Sequence, residues 1–163
     1  MTTNSTRALH YFLALFVVAV DRWSKVVVVH QIPLYARRKV ITGFFTLTHT
    51  ENPGAAFSLF ADSPARWTEN ALIAFSVVAL SVVGYLLWKE ARPFSRTAVA
   101  FSLIMGGALG NLWDRVAHGR VVDFLLVYVG KYEWPVFNLA DSCIVIGAGL
   151  LALSILAHPA PQS

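Results

Sequence analysis

The feature that most constrains this chain is a set of four long apolar segments, at residues 9–29, 71–88, 97–113 and 136–157. A helix of about 20 apolar residues crosses the roughly 30 Å hydrocarbon core of a bilayer, so each segment is a candidate transmembrane span. Only 13% of the residues are charged, whereas about 25% is usual in a soluble domain. No small-x-small cleavage site follows the first segment, which favours a retained span over a signal peptide. We therefore predict one integral membrane domain over residues 1–163, with four transmembrane helices.

Four spans place both termini on one side of the membrane and the two long loops, residues 30–70 and 114–135, on the other. We call this second side the outer face. Basic residues are scattered over both sides, so the positive-inside rule leaves the orientation open. The topology nevertheless predicts that the polar residues near the ends of the first, third and fourth spans meet at the outer face.

The two outer-face loops carry signals of regular structure. Residues 40–50 and 121–129 are rich in β-branched and aromatic side chains, which favours strands. An Asn-Pro-Gly turn at residues 52–54 would let residues 55–60 return as a further strand. Asp-Ser-Pro at residues 62–64 is typical of a helix start. We therefore predict a membrane all-α fold with a small β element, in which a small sheet and a short helix rest on the outer face.

Two aspartates, Asp123 and Asp141, lie in apolar sequence near this face. An ionisable group in such surroundings is costly, which makes each one a candidate functional residue. Two carboxyl groups that share a proton can activate water and protonate a leaving amine. A proton or ion pathway is an alternative. A local structural role is another, for example pairing of Asp123 with Arg120.

Two further pairs of polar residues have helical spacing. Asn138 and Asp141 are three residues apart, so the amide could orient the acid, or Asn138 could cap the fourth span. Asp21 and Lys25 are four residues apart near the end of the first span, which favours an ion pair. Either pair could be purely structural.

The third span ends in the sequence GGALGNLWDR at residues 106–115. Small residues let helices approach closely in lipid, so we expect these glycines to pack against neighbouring helices. Asn111 and Arg115 share one helix face, and we expect Arg115 to position acidic groups or substrate.

The sequence lacks the motifs that are typical of several catalytic mechanisms. There is no His-Glu-x-x-His zinc motif, no Gly-x-Ser-x-Gly elbow and no P-loop. The five histidines have no metal-ligand spacing, and the single cysteine, Cys143, excludes a disulfide within the chain. The net charge of +4 comes from scattered residues, so we expect no nucleic-acid partner. Carboxylate chemistry without a metal or cofactor is the simplest enzymatic interpretation.

Five segments resemble, in order, the signature blocks of bacterial lipoprotein signal peptidase, also called signal peptidase II. They are DRWSK at residues 21–25, NPGAAF at 52–57, GGALGNLWDR at 106–115, VVDF at 121–124 and FNLADS at 137–142. Each block alone is weak, but all five together on a four-span chain of this length are specific.

The resemblance implies an aspartyl endopeptidase that removes the signal peptide from a diacylglyceryl-modified prolipoprotein, just before the lipidated cysteine. Asp123 and Asp141 match the catalytic pair, with the roles of acid and base left open because coupled acids titrate together. The positions that match residues shaping the site and orienting the substrate are Asp21, Lys25, Asn52, Gly54, Asn111, Arg115, Asn138 and Ala140.

The resemblance also implies a location in the bacterial cytoplasmic (inner) membrane, with cytoplasmic termini and the active site on the periplasmic, outer side. Contact with membrane lipid and inhibition by the cyclic peptide globomycin are further expectations, and we expect a monomer. Without the family resemblance, the residues are also compatible with two other classes of protein. One is a small proton-coupled transporter or lipid-handling protein, and the other is a structural membrane subunit.

Overall fold

A computed structural model describes residues 3–54, 65–90 and 95–157, which form four helices and four strands. The helices are α1 (Thr3–Gln31), α2 (Ala65–Lys89), α3 (Arg96–His118) and α4 (Leu139–Leu156). Each helix coincides with one of the predicted apolar segments, and the first three extend beyond it. The mostly helical architecture agrees with the predicted fold class.

Two of the described helices are long and apolar enough to cross a membrane, over Trp67–Lys89 and Leu139–Leu156. Little of either one is buried within the protein, so their apolar side chains face outward, as contact with lipid requires. The other two helices carry charged residues towards their outer-face ends, such as Asp21 in α1 and Asp114 in α3. The count of four spans therefore stays a prediction.

The central helix of the bundle is α3, which packs against the other three. Its glycines allow a close approach on two sides. Gly106 lies against Ala14 of α1, and Gly107 lies against Ala140 and Ile144 of α4. The packing role expected for these glycines is confirmed, since a Cβ at either position would meet a backbone carbonyl oxygen of the neighbouring helix.

Gly107→Ala should loosen the contact between α3 and α4 and lower the free energy of unfolding by about 1–3 kcal/mol, the usual cost of overpacking. The added Cβ would meet the carbonyl oxygen of Ala140 and lie 2.9 Å from Ile144 Cγ1. Gly149→Ala in α4 is the matched control, because none of the described atoms lies within 4 Å of its Cβ position. Unfolding in micelles of increasing SDS content measures both variants. Equal stability of the two would contradict the close approach.

The strands form one antiparallel sheet in the order β1-β2-β3-β4. Their bounds are β1 (Arg37–Ile41), β2 (Phe45–Asn52), β3 (Val121–Val129) and β4 (Tyr132–Glu133). The strand predicted over residues 121–129 is confirmed with the same bounds. Two loops that are distant in sequence thus meet as the neighbours β2 and β3.

The strand predicted over residues 40–50 is confirmed at residues 40–41 and 45–50, but its continuity is wrong. The chain turns at residues 42–44, where Gly43 has a φ of +83°, and β1 and β2 pair as a hairpin. Glycine adopts this left-handed conformation without the steric cost that a side chain brings. The β-branched and aromatic residues around it favour strand on both sides, so they conceal the turn.

Two expected elements, the return strand at residues 55–60 and the helix start at 62–64, lie outside the described residues. Residues 65–70, which we placed in the outer-face loop, form the first turns of α2 instead. Neither proline nor glycine interrupts residues 65–83, so the helix runs directly into the apolar segment. In the described part of the chain there is no separate short helix.

A small apolar core fixes the sheet on the helix ends. Val28 of α1 and Ile32, the residue directly after α1, pack with Phe124 of β3, and all three are buried. On the far side, the backbone of Phe137 pairs with Leu125 of β3 just before α4 begins. The strand β3 is thereby held between the end of α1 and the start of α4.

Candidate active site

Asp123 lies on β3 and is only 4% exposed. Its carboxylate accepts a hydrogen bond of 2.7 Å from Asn138 Nδ2 and one of 3.1 Å from Asn52 Nδ2. Arg120, the partner considered from the sequence, pairs with Glu51 at 2.6 Å instead. Asp123 is therefore held by two amides, one from β2 and one from the start of α4.

Asp141 lies in the first turn of α4 and is half-buried. Its backbone N–H donates to Asn138 Oδ1 at 2.9 Å, and its carboxylate accepts from the Asn138 backbone N–H at 3.2 Å. This capping box confirms that Asn138 is the N-cap of α4. The other carboxylate oxygen accepts a hydrogen bond of 2.7 Å from Asn111 Nδ2.

Asn138 joins the two acids, because its side chain contacts Asp123 and its backbone contacts Asp141. The pKa of Asp123 is raised to about 6, first by burial and then by the negative charge of Asp141, against the lowering effect of the hydrogen bonds from Asn52 and Asn138. A carboxyl group with such a pKa can hold a proton near neutral pH. Acid–base sites typically contain two groups whose environments differ in this way.

A buried ionic cluster lies next to the pair. Lys25 Nζ is 2.8 Å from an oxygen of Asp21 and 2.8 Å from an oxygen of Asp114. It also donates to Asn111 Oδ1 at 3.1 Å. The three charged side chains are at most 1% exposed. The predicted pair of Asp21 and Lys25 is confirmed, and it lies inside the bundle because α1 continues to Gln31.

Asp21 connects α1 to the beginning of α4. Its Oδ1 accepts a hydrogen bond of 3.0 Å from the backbone N–H of Ala140, which is fully buried. Gly110 of α3 lies beside the same carboxylate, and a Cβ there would be 2.6 Å from Asp21 Oδ2. The small size of residue 110 therefore makes room for this contact.

The Asn-Pro-Gly turn orients the amide of Asn52. Gly54 has a φ of +95°, and its N–H donates to Asn52 Oδ1 at 2.8 Å. With its oxygen occupied, Asn52 presents Nδ2 to Asp123. A side chain at residue 54 would be strained by this φ and would collide with Leu72 of α2.

A cavity of about 300 Å³ opens beside Asp141 between α2, α3 and α4. Its charged and amide residues are Asp141, Asn111 and Arg115, and the other lining residues are mostly apolar. Arg115 interacts electrostatically with both Asp141 and Asp123. Its Nη1 donates to the backbone oxygen of Asn111 at 3.3 Å, and its Nε is buried without a hydrogen-bond partner within the described ranges.

The structure brings all the predicted site residues into the region around Asp123 and Asp141. Asp114, at the end of the third apolar segment, was not among the predicted site residues. It is buried, contacts Lys25, and also pairs with Arg22 of α1. The available signal was its position three residues after Asn111, on the same face of α3. Within the described residues, no group of three or more His, Cys, Asp or Glu side chains could hold a metal ion.

Comparison with known proteins gives a consistent result. The family model described as signal peptidase (SPase) II matches residues 13–157. The lipoprotein signal peptidase of Alteromonas mediterranea is 44% identical over 135 residues, which cover 83% of this chain and 73% of the relative. That of Solibacter usitatus is 38% identical over 146 residues, which cover 90% and 89%.

Solved structures agree with the sequence relatives. One described as a bacterial membrane enzyme superposes with a TM-score of 0.82 at 29% identity, covering 96% of this chain and 92% of the other. A second with the same description has a TM-score of 0.81 at 32% identity, covering 91% and 93%.

Proposed function

This chain belongs to the signal peptidase (SPase) II family, and from that premise we propose that it is an aspartyl endopeptidase acting on diacylglyceryl-modified prolipoproteins. It removes the signal peptide by cleaving just before the lipidated cysteine. The relatives named lipoprotein signal peptidases support this substrate class. The observation that carries the aspartyl mechanism is the hydrogen-bonded link from Asp123 through Asn138 to Asp141.

The two acids have different surroundings, which supports different roles. Asp123 is buried and, with its pKa near 6, holds a proton below that pH, so it serves as the acid. Asp141 lies in the first turn of α4, where the helix dipole favours negative charge. Asp141 also lines the cavity, from which water and substrate reach it, so it serves as the base.

The reaction then has a balanced course. Asp141 takes a proton from water while the water oxygen attacks the scissile carbonyl carbon, and Asp123 gives its proton to the carbonyl oxygen. When the tetrahedral intermediate collapses, the carbon–nitrogen bond breaks. The leaving nitrogen takes the proton from Asp141, and the hydroxyl proton returns to Asp123. Both carboxyl groups end in their starting states.

The other predicted site residues bind the substrate or orient the two acids. Arg115 lines the cavity beside Asp141, and its guanidinium suits a peptide carbonyl of the bound substrate. Asn52, Asn111 and Asn138 hold the two acids by their amide nitrogens. The apolar walls of the cavity suit the signal peptide helix. The acyl chains of the lipidated cysteine fix the depth of the scissile bond in the membrane.

We place the enzyme in the bacterial inner membrane as a single domain with four spans and cytoplasmic termini. Asp141 is in the first turn of α4 and β3 lies across the helix ends, so the site is near the outer surface. One copy supplies every proposed site residue, which supports a functional monomer. Globomycin would occupy the cavity beside Asp141 and compete with the substrate.

The decisive test is incubation of the purified protein with a diacylglyceryl-modified precursor. We expect a size shift on a gel and a product whose first residue is the lipidated cysteine. The same precursor without the lipid is the matched control and should remain uncut. A wild-type protein that leaves the lipidated precursor intact would contradict the proposed function.

The assignment of Asp123 as the acid makes a prediction about pH. Because its pKa is raised to about 6, the protonated form is present below that pH and is lost as the pH rises. We therefore expect kcat/KM to fall above about pH 6, by about tenfold per unit. Initial rates measured from pH 5 to 8 check this. A kcat/KM that instead rises through pH 6 would mean that Asp123 acts as the base.

A further inference from the structure

Three asparagines hold the two acids, and each must present its amide nitrogen and not its oxygen. For Asn52 and Asn138 a backbone group sets the orientation. The Asn52 oxygen accepts from the N–H of Gly54, and the Asn138 oxygen accepts from the N–H of Asp141. The nitrogen of each is then directed to Asp123.

Asn111 is oriented differently, by a charged side chain. Its Oδ1 accepts from Lys25 Nζ at 3.1 Å and from Asn138 Nδ2 at 3.2 Å, which directs its own Nδ2 to Asp141 at 2.7 Å. The reversed amide would set its oxygen against the carboxylate and its NH₂ against the ammonium. Both contacts would then be repulsive, so Lys25, together with the Asn138 amide nitrogen, sets which group Asp141 meets.

The Lys25 ammonium has three contacts, which are ion pairs with Asp21 and Asp114 and a hydrogen bond to Asn111. Asp21 is on the same helix as Lys25, four residues earlier, so it does not fix the ammonium relative to α3. Asp114 is on α3, three residues after Asn111. It therefore links the ammonium to the helix that carries the amide.

We infer that Asp114 is a positioning residue, which acts through Lys25 to hold the Asn111 amide in the orientation that serves Asp141. The inference rests on the proposed function, since it takes Asp141 as the base. Asp114 itself is 1% exposed and outside the lining of the cavity beside Asp141, so it acts at a distance from the substrate.

Asp114→Asn keeps the shape of the side chain but removes its negative charge. The Lys25 ammonium is then free to shift away from α3 towards Asp21. The Asn111 amide can then reverse, and we expect kcat to fall about 10–100-fold, as small misplacements of catalytic groups do. KM should stay within about threefold, since the ground-state contacts of the substrate are unchanged. Asp114→Glu, which keeps the charge, should recover part of the lost kcat.

Rescue by Asp114→Glu separates positioning from simple loss of structure. The glutamate restores the charge that links Lys25 to α3, so its kcat per folded protein should exceed that of Asp114→Asn. A loss of folded enzyme alone would leave kcat per folded protein unchanged in both variants.

A double-mutant cycle with Asn111→Ala tests the route of action. If Asp114 acts through Asn111, then Asp114→Asn should cost nothing further in the Asn111→Ala background. Glu133→Gln, an exposed acid-to-amide change on β4, controls for the change of charge. Rates are expressed per folded protein, measured by size-exclusion chromatography in detergent. Additive losses, Asp114→Glu no faster than Asp114→Asn, or a wild-type kcat in Asp114→Asn would each overturn the inference.

The role of Asp114 and the proposed function can fail separately. Cleavage by the wild type together with full activity of Asp114→Asn overturns this inference and leaves the proposed function intact. No cleavage by the wild type overturns both.

Discussion

Asp141→Asn should slow the cleavage of a lipidated precursor by at least about 10³-fold, and Asp123→Asn should do the same, since each acid–base group contributes about 10²–10⁴-fold. Asn138 links the two carboxyl groups, and in the proposed mechanism they serve one water and one peptide bond. Residues that act as a unit are not additive, so the double variant should be no slower than the slower single variant. Single-turnover cleavage of a labelled precursor measures all three rates.

Binding and folding must be measured beside the rates. Each carboxylate accepts two hydrogen bonds from N–H donors, so an amide in its place sets one NH₂ against a donor. We expect each variant to remain folded and to bind the precursor. Glu133→Gln, whose carboxylate pairs with Arg37 at the edge of the sheet, should cleave at the wild-type rate. More than a tenth of wild-type activity in either Asn variant would contradict a mechanism with two carboxyl groups.

The same variants distinguish the other classes that the sequence leaves open. A transporter or lipid-handling protein would show no cleavage before or after the change at Asp141. A structural subunit would tolerate asparagine at both positions. Only a peptidase of the proposed type loses cleavage and keeps precursor binding.

Features that depend on local spacing could be predicted from the sequence. The interval of three residues between Asn138 and Asp141 predicts a shared helix face, and the structure has a capping box there. The interval of four between Asp21 and Lys25 predicts an ion pair, which is present at 2.8 Å. In both cases the helix geometry alone brings the two side chains together.

Features that depend on contacts between distant segments could not be predicted in this way. Asp114 gains its position from Lys25 and Arg22, which are on another helix. The strand β1 was not recognised as a separate strand because all five of its residues are exposed, so it has no alternation of buried and exposed positions. The pairing of β2 with β3 depends on how the helices place the two loops.

The position of the charged residues explains why α2 and α4 pass the test for a membrane span and α1 and α3 do not. The outward-facing α2 and α4 are apolar on most of their surface and pass the test for a span. The charges that set α1 and α3 apart, on Asp21, Lys25 and Asp114, pair with one another inside the bundle. A charge that is neutralised within the protein costs far less in a membrane than the same charge facing lipid.

Lys25→Met should lower the free energy of unfolding by about 3–5 kcal/mol, the typical cost of removing one partner from a buried ion pair. The methionine retains most of the volume but leaves Asp21 and Asp114 without the ammonium that lies 2.8 Å from each. Unfolding in SDS-containing mixed micelles measures the loss. Lys39→Met is the matched control, since residue 39 is exposed on β1 and a change there should alter stability by no more than about 0.5 kcal/mol.

A second comparison tests whether the loss in Lys25→Met comes from charge and not from packing. Adding Asp21→Asn and Asp114→Asn to Lys25→Met removes both carboxylates that face the ammonium, and it leaves Arg22, the other partner of Asp114, as a partly exposed cation. Replacing a whole buried ion cluster by neutral groups is often nearly neutral, so this triple variant should recover much of the lost stability. Its activity should stay low, because the Asn111 amide has lost the ammonium that orients it towards Asp141. Recovery of stability without recovery of activity would show that the cluster orients the site. A triple variant less stable than Lys25→Met would show instead that the shapes of these side chains stabilise the bundle more than their charges do.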